Sequence, residues 1–212
     1  MTPTTSPLLS SQNLSKRFGP RWLFRELSFE LHTGDCLIIQ GRNGSGKSTL
    51  LRLLAGLDRP TDGTVQLGFD DYRTELSLCA LEQATFPNLT VLEHLEIAAT
   101  MRGMQEWTPE NSIELIHKVG LQDHTKHASQ HLSSGLRSKL KIALAIQPRP
   151  KILIWDEPGV ALDDSGRLLI ESVVKEQKQR GALVIATNDA SETRFGTHLL
   201  NLDLLNLDEG SK

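Results

Sequence analysis

Cysteine, net charge and long apolar runs are all scarce in this 212-residue sequence. The two cysteines, Cys36 and Cys79, lie in separate apolar stretches, so we expect buried core residues and neither a disulfide framework nor a zinc site. A formal charge of −3 gives no electrostatic reason to expect a nucleic-acid partner. No run reaches the roughly 18 apolar residues of a membrane span, and residues 1–7 lack the pattern of a signal peptide. We therefore expect a cytoplasmic protein.

The strongest motif is the segment from Gly41 to Ser48, which fits the pattern G-x-x-x-x-G-K-[ST]. It follows a short apolar run and precedes a helical apolar pattern that ends at Gly56. Glycines let backbone N–H groups converge on phosphate oxygens, and the start of the helix favours an anion. Lys47 is expected to reach the β- and γ-phosphates, and the Ser48 hydroxyl to bind Mg²⁺. The alternative is a plain glycine turn. The predicted nucleotide contacts are Gly41, Arg42, Asn43, Gly44, Ser45, Gly46, Lys47, Ser48 and Thr49.

Apolar runs at residues 36–39, 151–155 and 183–186 predict buried strands, and the run at residues 76–81 predicts a further strand. Helical patterns lie between these segments. Alternating apolar and polar residues over 8–33 predict strands of an antiparallel layer. The predicted fold is α/β: a P-loop NTPase core with a parallel sheet, an antiparallel β layer at its N-terminal side and an inserted helical subdomain. We expect a single domain over residues 1–212, with the helical subdomain at about 84–147. The apolar positions that indicate its helices are Val91, Leu95 and Ala98 or Ala99, then Ile113, Ile116 and Val119.

Two adjacent carboxylates, Asp156 and Glu157, follow the apolar run that ends at Trp155. The carboxyl ends of parallel strands are where α/β folds bind ligands. Asp156 is suited to hold Mg²⁺, directly or through water, and Glu157 is suited to act as a general base on an attacking water. Alone, the pattern would indicate a solvated acidic turn. The phosphate-loop motif earlier in the chain favours the catalytic interpretation.

A third motif, Leu132-Ser-Ser-Gly-Leu136, resembles the signature of ATP-binding cassette (ABC) ATPases, whose usual form is Leu-Ser-Gly-Gly-Gln. Ser134 and Leu136 depart from that form. In the family this motif begins a helix and binds the γ-phosphate held by the other subunit, which makes Ser133, Ser134 and Gly135 candidate nucleotide contacts. The chemistry agrees, because serine caps helices and a helix start favours an anion. An ordinary capped helix is the alternative for the motif taken alone.

The same resemblance implies roles for four more residues. Gln83 is similar to the glutamine that contacts Mg²⁺ and water and relays to the membrane partner. Phe18 is similar to the aromatic that stacks on adenine, although it could also be a core residue at a strand edge. Asp163 lies in a loop like the one that crosses the dimer. Where the family has a histidine near the γ-phosphate, this chain has Asn188, whose amide donates a hydrogen bond but carries no charge. Slower hydrolysis, or altered sensing of the γ-phosphate, is therefore expected.

The resemblance implies the ATPase subunit of an ABC transporter, with ATP and Mg²⁺ as cofactors. Two copies would sandwich ATP across a two-fold axis, and a transmembrane permease on a separate chain would dock near residues 83–89 on the cytoplasmic side. Residues 50–60 also resemble the haem-exporter ATPase of cytochrome c biogenesis. Two alternatives stay open: a non-transport ABC ATPase that drives a soluble assembly such as iron–sulfur cluster scaffolding, and a nucleotide-gated module with little turnover.

Three histidines, His124, His127 and His131, stand at i, i+3 and i+7 just before the signature segment. Such spacing would allow a metal site on one helical face. No cysteine or carboxylate at helical spacing completes that set, so a solvated polar surface is the favoured interpretation.

Overall fold

Two β-sheets and their surrounding helices make up the computed structural model, which describes residues 6–80 and 84–205. Short 3-10 segments at Gln122–His124, Ser129–His131 and Ala190–Phe195 complete the secondary structure. The strands are β1 (Leu9–Phe18), β2 (Arg21–Leu31), β3 (Cys36–Gln40), β4 (Asp62–Leu67), β5 (Leu76–Cys79), β6 (Ile152–Asp156), β7 (Ala182–Ala186) and β8 (His198–Asn201). The helices are α1 (Lys47–Leu54), α2 (Tyr72–Glu75), α3 (Val91–Arg102), α4 (Pro109–Lys118), α5 (Ser134–Ile146), α6 (Asp164–Arg180) and α7 (Leu202–Leu205).

The larger sheet has five strands in the order β5-β6-β7-β3-β8, and all its pairings are parallel. Strands β3, β6 and β7 are buried along almost their whole length, as parallel strands covered on both faces must be. Ala186 at the end of β7 pairs with Ile39 of β3 on one side and with Asp156 of β6 on the other. The segments that follow these three strands therefore emerge side by side at one edge.

The smaller sheet is antiparallel in the order β2-β1-β4, and it covers helix α1. One hydrophobic cluster joins its inner residues, such as Leu14 and Phe24, to Leu50 of α1 and Ile154 of the parallel sheet. The predicted α/β fold, with a parallel sheet and an antiparallel layer, is confirmed. Strand β1 ends at Phe18, close to the edge where the parallel strands end.

Helices α3, α4 and α5 pack together in the second hydrophobic cluster. Thr90 and Thr108 begin α3 and α4 with capping boxes, because each side chain accepts from the backbone N–H three residues on. One of the apolar positions that indicated α4 lies outside its buried face: the side chain of Ile113 is exposed, whereas Leu115 is buried. Helix α4 buries the face that carries Leu115, Ile116 and the following Val119, and Ile113 lies off that face.

Two further details differ from the sequence prediction. The strand expected at residues 76–81 ends at Cys79, and residues 81–83 lie outside the described part. Strand β8 was not predicted, because an edge strand of four residues with exposed Leu199 lacks the apolar run that indicates the buried strands. Over residues 6–80 and 84–205, no helix combines the length and hydropathy that crossing a bilayer requires.

One buried amide fixes helix α6 to the parallel sheet. Gln177 is fully buried, and its Nε2 donates to the carbonyl oxygen of Pro150 at 2.8 Å and to that of Ala182 at 3.3 Å. These carbonyls lie at the starts of β6 and β7, so one side chain satisfies acceptors beside two neighbouring strands. Buried carbonyls without a partner carry a desolvation penalty, which makes Gln177 a stabilising residue.

We expect Gln177→Leu to lower the free energy of unfolding by about 1–3 kcal/mol, because it leaves buried carbonyls without a donor. Chemical denaturation measures the change. Gln179→Leu is the matched control, since Gln179 is exposed on the same helix. Equal stability of the two variants would contradict the role assigned to Gln177.

Candidate nucleotide-binding and catalytic site

A cavity of about 420 Å³ lies at the edge where β3, β6 and β7 end. The segments after β3 and β6, the end of β1 and Leu23 of β2 form its walls, and the segment after β7 contacts the lining residue Lys47 through Asn188. Because the strand ends are in register, residues far apart in sequence face one another across the cavity. The lining residues are Phe18, Leu23, Asn43, Gly44, Gly46, Lys47, Ser48, Thr49, Asp156 and Glu157.

The loop between β3 and α1 has the geometry of an anion cradle. Gly41 must be glycine: its φ is +155°, and a Cβ would lie 2.4 Å from the Ser45 hydroxyl. At Gly44, φ is +79° and a Cβ would meet nothing within 4 Å, so the loop backbone is open at this point. Ser45 Oγ is buried and has no hydrogen-bond partner among the described residues. A buried hydroxyl without a partner and an open glycine loop at a helix start both fit a bound phosphate group.

Lys47 connects the three segments that meet at the cavity. Its side chain is only 7% exposed, and Nζ donates to Gly41 O at 2.8 Å and to Asn188 Oδ1 at 3.0 Å. Nζ also lies 3.6 Å from Glu157 Oε1. A nearly buried ammonium requires such compensation. One charge therefore holds together the loop after β3, the carboxylate after β6 and the amide after β7.

Oxygen atoms suited to a hard cation lie beside this lysine. Ser48 Oγ donates to Asp156 Oδ2 at 2.8 Å, so a hydroxyl and a carboxylate meet at the start of α1. Hydroxyl, carboxylate and phosphate oxygens are the ligands that Mg²⁺ prefers in nucleotide sites. The donor set on the protein therefore fits Mg²⁺, with Ser48 and Asp156 as its predicted ligands.

Glu157 follows Asp156 with a backbone in the left-handed region, at φ +50°. This conformation is uncommon for a residue other than glycine and often occurs at functional sites. Two hydrogen bonds hold it in place. The Glu157 N–H donates to Ala186 O at 2.8 Å, and the Asn188 N–H donates to Glu157 Oε2 at 3.3 Å. The carboxylate thus faces the cavity from a fixed position, as a general base needs to.

Both polar atoms of the Asn188 side-chain amide form hydrogen bonds in the site. Oδ1 accepts from Lys47, and Nδ2 donates to Asn43 Oδ1 at 2.9 Å. The side chain therefore bridges the phosphate loop to the segment after β7. A neutral amide can hold both neighbours because it combines an acceptor and a donor.

Phe18 lies at the mouth of the same cavity, at the end of β1. Its side chain is 57% exposed, and Lys16 Nζ lies 5.3 Å from the ring centroid. The exposure rules out the alternative of a core residue at the strand edge. An exposed aromatic ring at the wall of a phosphate-binding cavity is suited to stack on a planar base.

The signature residues and Asp163 do not line this cavity. Ser133 and Ser134 are exposed, and Ser133 begins α5 by accepting from the Leu136 N–H at 3.2 Å. Asp163 begins α6 by accepting from the hydroxyl of Ser165 and from a backbone N–H, and these hydrogen bonds hold the pKa of its carboxyl below the ordinary value. Both helix starts are therefore formed in the single chain, but they do not line the cavity at its own phosphate loop.

Gly135 lies against the segment after β6, because a Cβ there would come within 2.9 Å of Ala161 O. Ala161 itself has a left-handed backbone, at φ +65°. The first turn of α5 and the segment between Glu157 and Asp163 are thus in close backbone contact. A side chain added at position 135 would therefore collide with the backbone of the segment after β6.

Gln83 lies outside the described residues, so its role stays a prediction. His124 and His127 contact each other through their Nδ1 atoms at 2.9 Å. Within the described ranges, no group of three or more histidine, cysteine or acidic side chains could hold a metal ion.

Sequence reasoning misses Glu192, a buried carboxyl beneath the site. It is 6% exposed, and burial is the main cause that raises its pKa above the ordinary value. The nearby charges of Asp189 and Glu157 act in the same direction, while hydrogen bonds from Thr187 and from the Gly159 backbone lower the pKa. The polar segment around Glu192 gives no apolar pattern from which burial could be predicted. Only the fold places this residue under the loop that carries Glu157.

The ABC transporter family profile matches residues 24–160 of the chain. Over 189 residues the chain is 34% identical to the aliphatic sulfonates import ATP-binding protein SsuB 3 of Pseudomonas syringae pv. tomato, covering 87% of this chain and 68% of that protein. It is 35% identical over 193 residues to the human phospholipid-transporting ATPase ABCA3, covering 85% of this chain. The chain spans only 11% of the length of that relative.

Solved structures show the same fold. An ATP-binding subunit of an ABC transporter matches with a TM-score of 0.82 at 25% identity, covering 92% of this chain and 85% of that one. The ATP-binding cassette MJ0796, a dimer in a post-hydrolysis state with ADP and Pi, matches with a TM-score of 0.81 at 24% identity, covering 91% and 93%.

Proposed function

Because this chain belongs to the ABC transporter family of ATPases, we propose that it binds and hydrolyses ATP in order to drive a transmembrane permease carried on a separate chain. The observation that carries the proposal is that Lys47, in the wall of the cavity, contacts both Glu157 and Asn188, with Asp156 bonded to Ser48 beside them. These groups supply phosphate binding, cation binding and proton transfer within one site.

Binding begins with the phosphates at the loop Gly41–Ser48. Lys47 would exchange its contacts with Gly41 and Asn188 for phosphate oxygens, which also give its charge a stronger partner. The Ser45 hydroxyl would gain a hydrogen-bond partner, and Phe18 would stack on the base. The site thus binds the triphosphate at its buried end and the base at its exposed end.

Ser48 and Asp156 would hold Mg²⁺, and the ion supplies charge neutralisation on the phosphate oxygens. Glu157 is oriented to accept a proton from the water that attacks the γ-phosphorus. Asn188 would donate to the γ-phosphate through its amide. Because that amide offers no positive charge, we propose that hydrolysis is slow compared with a site that contains histidine.

The second half of the site would come from another copy of the chain. Ser133, Ser134 and Gly135 begin a helix whose free N–H groups suit a phosphate, yet they lie away from the cavity of their own chain. An isologous dimer brings the signature of each copy to the phosphate loop of the other. Asp163 would lie at the same interface. ATP would therefore hold the two copies together.

The permease would dock beside the helices α3 and α4, near residues 83–89, on the cytoplasmic side of the membrane. Exposed apolar side chains support this location: Phe86 is 60% exposed, and Met101 on α3 is 72% exposed. Such exposed apolar groups are suited to a protein partner. We further propose that residues 84–147 act as a helical subdomain that carries this surface within a single ATPase domain.

We expect Lys47→Ala to weaken ATP binding about 10- to 100-fold, since each hydrogen bond to a charged group contributes about 1.5–3 kcal/mol. Isothermal titration calorimetry measures the affinity. Lys175→Ala is the matched control, because Lys175 is exposed on α6 and does not line the cavity. ATP affinities that agree for wild type and Lys47→Ala would refute the assigned role.

We expect Glu157→Gln to keep ATP affinity and to lose turnover by about 10²–10⁴-fold, because the amide preserves the shape but accepts no proton. With hydrolysis blocked, an ATP-bound dimer should accumulate. Light scattering after size-exclusion chromatography should then show a shift from monomer to dimer with Mg-ATP. Glu171→Gln, on the exposed face of α6, should behave as wild type. A monomeric Glu157→Gln variant with normal hydrolysis would show that another group is the base.

We expect Asn188→His to raise the steady-state ATPase rate while ATP affinity changes little. A single preorganised donor at a developing charge contributes about 10²–10³ in rate, which sets the upper range of the gain. Asn188→Ala serves as the comparison and should show no gain. If histidine brings no increase, position 188 does not limit hydrolysis, and the neighbouring groups, including Ser134 and Leu136, have adapted to asparagine.

A further inference from the structure

Glu192 is a buried carboxyl that the proposed mechanism does not use. It lies in the 3-10 segment Ala190–Phe195 and is 6% exposed. The Thr187 hydroxyl and the Gly159 backbone N–H donate hydrogen bonds to the carboxyl group, and its Oε2 has no partner among the described residues. A buried carboxyl that is only partly satisfied is costly, so its retention calls for a specific role.

Glu192 contacts the two loops that carry the proposed catalytic groups. Thr187 directly precedes Asn188, and Gly159 lies two residues after Glu157. The approach to Gly159 is so close that an added Cβ would lie 2.6 Å from Glu192 Oε1. One side chain therefore ties the loop after β6 to the loop after β7, just beneath the cavity.

The loop after β6 needs such a support. Both Glu157 and Ala161 have left-handed backbones, at φ +50° and +65°, although neither is glycine. Backbone conformations of this kind persist only where surrounding contacts hold them. Gly159 lies midway between these two residues, and its N–H is bonded to Glu192. Without that bond, the segment is free to relax towards a more favourable backbone and to carry the Glu157 carboxylate with it.

We propose that Glu192 is a positioning residue for hydrolysis: its carboxyl oxygen, by accepting from Gly159 and Thr187, holds the loop that presents Glu157 to the γ-phosphate. The proposal rests on the proposed ATPase function. This positioning role requires a hydrogen-bond acceptor oxygen at position 192, and it does not require a negative charge there. The surroundings agree, because burial and the neighbouring charges of Asp189 and Glu157 favour the neutral carboxyl and raise its pKa, and they outweigh the hydrogen bonds from Thr187 and Gly159, which lower it.

The first test compares Glu192→Gln with Glu192→Leu. Glutamine keeps the accepting oxygen and should retain most of kcat. Leucine has a similar size but no acceptor, and we expect it to lower kcat about 10- to 100-fold, because a shift of roughly 1 Å in a catalytic group can cost that much. The KM for ATP should stay within about twofold, since Glu192 lies beneath the phosphate contacts. Glu114→Leu, exposed on α4, is the control.

The second test examines the contact itself. Gly159→Ala places a methyl group against Glu192 and should lower kcat in the wild-type background. In the Glu192→Ala background the methyl group has room, so Gly159→Ala should add no further loss. Independent residues would instead show additive losses. Thermal unfolding of every variant and its ATP affinity establish that the proteins are folded.

The outcomes separate this inference from the proposed function. If glutamine lowers kcat as much as leucine, or if Gly159→Ala costs the same in both backgrounds, Glu192 does not position the loop. Variants that all hydrolyse as fast as wild type would reject it as well. If Glu192→Leu does not fold, the kcat values of Glu192→Gln and of Gly159→Ala in its two backgrounds still test the proposal. A wild-type chain that binds no ATP, or binds it without any turnover, would instead contradict the proposed function.

Discussion

The site depends above all on the parallel pairing of β7 with β6 and β3. Ala186 is in register with the last apolar residue of β3, Ile39, and with Asp156 at the end of β6. This register brings three chain segments to one edge, and the charge of Lys47 then holds them together. A slip of one residue in either pairing would turn side chains to the opposite face and separate the lysine from its partners.

Lys47 and Asn188 together link nucleotide binding to catalysis. In the chain as described, the lysine is bonded to the phosphate-loop carbonyl of Gly41 and to the amide of Asn188, which also holds Asn43. A phosphate that attracts Lys47 would therefore release Asn188 Oδ1 from its present bond. In our proposal Asn188 senses the γ-phosphate and Lys47 binds it, so these two residues are already bonded to each other before the phosphate arrives. An asparagine can make both contacts because its amide is both donor and acceptor.

The proposed division of the site between two copies follows from where the helices begin. Helices α5 and α6 start on the surface, with Ser133 and Asp163 as their capping residues. Gly135 packs against Ala161, so the signature turn is attached to the segment that also carries Glu157. Because Glu192 contacts Gly159 of the same segment, movements of the Asn188 loop and of the signature turn would be mechanically connected.

The sequence alone determined the features that depend on neighbouring residues. The phosphate loop, the strand that ends in Asp156 and Glu157, and the capped helix at Ser133 all follow from local patterns, because turn geometry, apolar periodicity and capping act over a few residues. Only the tertiary structure decided the contacts across long separations: the Lys47–Asn188 bond, the exposure of Phe18 and the burial of Glu192. The tertiary structure also decided where strand β8 forms and which face of α4 is buried. Such features depend on which helices and strands pack together, and local sequence patterns do not specify that packing.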